Sequence, residues 1–121
     1  MKKSLLFLFV AILFQACVKE NEVDKFPEDG CYSGSLRASY SLDIRPILDA
    51  NCIRCHNENN PPKGYNLKLY TDVNRAAQNN LLFNVVNHTA GFSKMPSGAD
   101  KLIQCDIDKI RKWIENGALN D

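Results

Sequence analysis

No apolar run in this sequence is long enough to cross a bilayer. The longest, Leu5 to Phe14, has ten residues, about half of what a helical span needs. Charge of one sign is also missing: 15 Lys and Arg oppose 14 Asp and Glu, which excludes the strongly basic domain that nucleic-acid binding calls for. Histidine is scarce. His88 stands alone beyond His56, so the second ligand pair of a structural zinc site is absent, and a fourth ligand would have to come from Cys31 or Cys105. No strand pattern precedes Cys52, as a thioredoxin-like exchange site would require. No internal repeat is present. With 121 residues, there is room for one small domain and not for two ordinary ones.

The first residues read as an export signal. Met1-Lys2-Lys3 supplies a positive start, the ten-residue apolar run follows, and Phe14-Gln15-Ala16-Cys17 resembles a bacterial lipoprotein box. The expected organisation is a lipoprotein signal peptide over residues 1–16, a tether over 17–38 that begins at a lipid-modified Cys17, and a domain over 39–121. Loss of Lys2 and Lys3 with the signal leaves 13 basic against 14 acidic residues, a net charge of −1. The tether is polar and acidic in balance and is punctuated by Pro27, Gly30 and Gly34. The reading places the protein outside the cytoplasm, anchored by lipid to a bacterial membrane on its periplasmic or cell-surface side. Val18 after the cysteine, by resemblance to known lipoprotein sorting, favours the outer membrane.

Along the domain the pattern is helical. Leu42, Ile44, Ile47 and Leu48 predict a short helix over about 44–50; Ser41 or Asp43 can cap it, and Pro46, at the third helical position behind Asp43, selects Asp43. Residues 57–70, NENNPPKGYNLKLY, form a loop. Thr71 or Asp72 is expected to cap a helix through Ala76, Ala77 and Gln78. Leu81, Leu82, Val85 and Val86 fall on one helical face rather than in a strand's alternation. Residues 88–100 are a second loop. Ile103, Ile107, Ile110 and Ile114 make an apolar stripe along a final helix that starts at Cys105 or Asp106 and stops at Gly117.

The chemistry concentrates in CIRCH, residues 52–56. Two thiols three positions apart can each add to a vinyl group of haem b, and the imidazole that follows can reach the iron; this is the attachment sequence of c-type haem. Chance would produce the pattern in such a chain about three times in a thousand. Iron held by His56 needs a second axial ligand to be a six-coordinate electron carrier. Met95, followed by Pro96, is the one methionine beyond the signal and supplies a thioether. His88 stands after the apolar run either as a satisfied histidine closing a helix or as a rival distal ligand. With Cys17 given to lipid and Cys52 and Cys55 to haem, Cys31 and Cys105 remain of the five cysteines, and an oxidising compartment invites a disulfide between them.

CIRCH, the KMPSG loop and a terminal helix ending KIRKWIENGA together resemble the small monohaem class I cytochrome c domains of exported bacterial lipoproteins, over about residues 39–121. The resemblance implies an all-α fold whose N- and C-terminal helices cross near Trp113 and pack around a covalent haem. It implies that Cys52 and Cys55 hold the porphyrin, that His56 and Met95 take the two iron faces, and that a proline carbonyl, of Pro61 or Pro62, accepts a bond from the His56 ring. The function it implies is electron transfer between redox partner proteins, with no bond-making catalysis. A ligand-binding or peroxidase-type haem protein, in which Met95 dissociates, is the alternative, with His88 its one acid–base candidate.

Overall fold

The computed structural model describes residues 37–121, and among them every regular element is helical. A wide π-helical turn, Tyr40–Ile44, runs into α1, Arg45–Asn51; a 3₁₀ turn follows at Pro62–Gly64, then α2 at Tyr70–Gln78, α3 at Leu81–Val86 and α4 at Gln104–Glu115. The all-α expectation holds. Cys17, Cys31, the signal segment and most of the tether lie outside the described residues. No described helix is long and apolar enough to cross a membrane.

The first helix begins earlier than its pattern suggests, and its cap is neither Ser41 nor Asp43. Ser39 caps it: its hydroxyl accepts from Leu42 N–H (3.4 Å), and its own N–H donates to Asp43 Oδ2 (2.9 Å). Asp43 therefore answers the cap from inside, in the reciprocal manner of a capping box. Pro46, with no N–H to give, stands where the wide turn hands over to α-helical spacing.

Ile44, Ile47 and Leu48 go inward against Val73, Ala76 and Ala77 of α2, Leu82 and Val86 of α3, and Ile107, Ile110 and Trp113 of α4. The stripe expected on the last helix is corrected at both ends. Ile103 precedes the helix in extended conformation and is 67% exposed, while Ile114 is half-buried. Trp113, at 1% exposure, takes the core place instead, because residues 107, 110 and 113 follow the three-residue spacing of one helical face.

The π turn packs on α4 through Tyr40, whose ring lies 5.6 Å from Trp113 and 5.0 Å, edge on, from Tyr70. The C-terminal residues complete this junction. Asp121 Oδ1 accepts Tyr40 N–H (2.8 Å), the main-chain oxygen of Asp121 accepts Ser41 N–H (2.8 Å), and Trp113 Nε1–H donates to Leu119 O (2.8 Å). Tyr70 and Asn74 of α2 both donate to Ala118 O. The two ends of the domain thus meet at Trp113.

Gly117 closes α4 as its pattern predicts. Its φ of +93° lets Gly117 N–H reach Ile114 O (3.0 Å) and Ala118 N–H reach Trp113 O (2.9 Å), the paired bonds of a Schellman cap.

Candidate functional site

The CIRCH segment is the continuation of α1. Cys52 N–H still bonds Leu48 O (2.9 Å); Cys55 N–H (3.2 Å) and His56 N–H (2.9 Å) then both bond Cys52 O, so the two thiols and the imidazole sit on one further turn. Cys52 is half-buried, Cys55 exposed and His56 half-buried. Burial pushes the Cys52 thiol up to about 11, since a thiolate there would lose its hydration. Among the described residues no three His, Cys, Asp or Glu side chains gather as a metal-binding cluster.

His56 is anchored twice. Its main-chain oxygen accepts Leu67 N–H (2.9 Å), and its Nδ1 lies 3.1 Å from Tyr65 O. A carbonyl only accepts, so Nδ1 carries the proton, and in the neutral ring the lone pair is on Nε2. The acceptor is Tyr65 and not Pro61 or Pro62. Both proline carbonyls are spent inside the 3₁₀ turn, Pro61 O on Gly64 N–H (2.9 Å) and Pro62 O on Tyr65 N–H (3.2 Å).

The loop that presents Tyr65 O is held from several sides. Asn57 donates back to Ile53 O and Arg54 O and accepts Asn59 N–H. Arg45 on α1 donates to Leu67 O and Lys68 O. Lys68 pairs with Glu58 at 2.9 Å, and this bond draws the Glu58 carboxyl below its ordinary range. Arg75 of α2 donates to Gly64 O (2.7 Å) and lies 4.3 Å over the Tyr65 ring. Neither Thr71 nor Asp72 caps α2: the Asp72 carboxylate takes Asn66 N–H (2.9 Å) and Arg75 (2.9 Å), and the helix starts at Tyr70 behind Leu69 with no side-chain cap. Arg75 and Tyr65 had no mark in the sequence, because their contact joins a loop to a helix ten positions on, outside any local periodicity.

A second group of residues lies after α3. Leu82 and Val86 enter the core, while Leu81 and Val85, a helical step away, stay half-buried. Met95, half-buried in a loop whose residues 90–94 are exposed, returns to this helix by donating its N–H to Val85 O (3.0 Å). His88 Nε2 lies 3.0 Å from Met95 O and must donate. Of the two sequence readings of His88, the satisfied histidine at a helix end is the one seen; the nitrogen that would bind iron as a rival ligand is committed to a carbonyl. The CIRCH turn and the Met95 loop are each organised by their own hydrogen-bond set. Cys105 lies half-buried in the first turn of α4, and its expected disulfide partner Cys31 is outside the described residues.

Comparison of the chain with protein-family models, with curated proteins and with solved structures finds no match to any of the three.

Proposed function

We propose that this protein is a monohaem c-type cytochrome that transfers electrons while tethered to a membrane through Cys17. The observation that carries the proposal is the His56 ring: one nitrogen donates to Tyr65 O, the other keeps its lone pair, and two thiols share the same turn. Imidazole ligands of metals ordinarily have their second nitrogen fixed in this way by a carbonyl or carboxylate. The donor set fits haem. Cys52 and Cys55 would hold it by thioethers, His56 Nε2 and the Met95 sulfur would bind its iron, and the helices would pack around it in the manner of a cytochrome c.

When bound, haem supplies a one-electron iron couple, whose potential His/Met ligation raises relative to two histidines. The chain's own residues hold and orient. Tyr65 O fixes the plane and tautomer of His56, Arg75 and Asp72 fix the segment that carries Tyr65, and Val85 O holds Met95. Val85 and Phe83, half-buried beside the core, and the half-buried Leu81 offer apolar surface for a macrocycle to cover. The protein's partners in this reading are a donor and an acceptor protein in the exported compartment.

The deciding experiment is expression in a host with haem-attachment machinery, followed by a pyridine haemochrome spectrum and intact mass. One covalent haem per chain is expected, with its attachment abolished in Cys52→Ala/Cys55→Ala and the near-infrared sulfur-to-iron band lost in Met95→Ala. Colourless mature protein without a mass increment from that host would end the proposal. Exclusion of CO from the reduced protein is expected too, and ready CO binding would favour a haem protein with a displaceable ligand.

A further inference from the structure

Helices α3 and α4 end in the same way with different residues. At the end of α3, His88 N–H lies 3.4 Å from Val85 O and Thr89 N–H 3.0 Å from Asn84 O, the same pair of bonds that Gly117 and Ala118 make at the end of α4. His88 therefore occupies the left-handed position, with φ of +58°, where Gly117 stands in the other helix. Glycine is the residue that adopts this conformation at least cost, and a side chain with a Cβ is penalised there. Helix termination by itself gives no reason for an imidazole.

The ring has a separate use. Its Nε2–H donates to Met95 O (3.0 Å), while Met95 N–H donates to Val85 O (3.0 Å), so both main-chain polar groups of Met95 are tied to the end of α3. Between these ties the loop is exposed from Ala90 to Lys94 and bears a single internal main-chain bond, Phe92 N–H to Thr89 O. Loops of this composition wander unless their ends are held. His88 supplies one of the two bonds that hold Met95.

We propose that His88 is a positioning residue for Met95: its ring hooks the Met95 carbonyl and so fixes the segment from which the thioether is presented as an axial ligand. The ligand half of this statement rests on the haem reading; the hook does not.

The test compares mature wild-type protein with His88→Gly and His88→Asn, both compatible with a left-handed backbone and both without a donor of the imidazole's reach. Three quantities are read: the near-infrared sulfur-to-iron band, CO binding by the reduced protein, and amide exchange at Met95 with Ile110 as the core reference. In both variants the band should weaken or vanish, CO occupancy should rise, and Met95 exchange should speed up about tenfold with Ile110 unchanged. Thermal stability of His88→Gly should match or exceed the parent's, because the backbone is relieved; a purely structural role for the ring would predict lower stability with an unaltered band. Retention of the parent's band and CO exclusion overturns the proposal, and so does a parental exchange rate at Met95. If wild-type protein carries no haem, the functional reading fails by itself, and the exchange arm still decides whether the hook holds Met95.

Discussion

Arg75→Ala removes two contacts to the loop that anchors His56 and one within α2. The guanidinium donates to Gly64 O at 2.7 Å, lies 4.3 Å from the Tyr65 ring centre, and pairs with Asp72 at 2.9 Å. Its side chain is 49% exposed, so each contact is taken at a solvated value. That gives about 1 kcal/mol for the hydrogen bond, about 0.5 kcal/mol for the ring contact and about 0.3 kcal/mol for the ion pair three positions away on one helix. The sum, about 2 kcal/mol, is a sizeable share of the 5–15 kcal/mol that such domains possess, and at this size it lowers the melting temperature by roughly 10 °C. Because the two gripped groups flank Tyr65 O, the same change loosens the His56 ring. Arg75→Lys keeps the charge but loses the flat guanidinium and should recover less than half of the loss. Guanidinium and thermal unfolding of the three proteins, followed in the helical signal, measure the first effect, and the nuclear magnetic resonance spectrum of the His56 ring measures the second. Stability of Arg75→Ala within about 0.3 kcal/mol of the parent, with an unshifted spectrum, would refute the reasoning.

Other outcomes can be measured alongside. Trp113→Phe leaves Leu119 O without its donor and thins the junction with Tyr40, and a loss of about 1–3 kcal/mol is expected in chemical unfolding. Gly117→Ala places a Cβ on a residue at φ +93°; the nearest side-chain atom, 3.9 Å away, does not obstruct it, so the cost of about 1 kcal/mol comes from the backbone and should vanish in Gly117→Asn only in part. In haem-free chain the exposed Cys55 should alkylate before Cys52 at pH 8. Folding raises the Cys52 thiol from 9.0 to about 11, so the folded chain holds that proton more tightly than the unfolded one. The associated stability is intact below about pH 9 and is lost, to the order of 2 kcal/mol, as pH rises toward about 11. Unfolding of wild type and Cys52→Ala should converge across that window; parallel curves would count against the burial.

Local pattern made much of the helical layout legible. The 81–86 helix follows from four apolar residues on one face, and the end of α4 follows from a glycine where the left-handed turn requires one, because periodicity and backbone freedom act over a few positions. CIRCH is likewise a local pattern, and the chemistry it suggests comes from residue type and spacing alone. Starts of helices were less legible. Ser39 prevailed over Ser41 and Asp43 as a cap, and Asp72 was drawn off its helix by Asn66 and Arg75.

By itself, then, the sequence determined the helical class of the described residues, the positions of their four α-helices to within a few residues, and the side chains that bear reactive groups. Tertiary structure decided which of those side chains are held and by what. Tyr65 rather than a proline receives the His56 proton, Arg75 steadies Tyr65, His88 hooks Met95, and Asp121 fastens the first turn to the last. Each joins groups whose pairing no local pattern marks: a carbonyl, a ring or a charged side chain is a possible partner in every sequence, and only its place in space selects which.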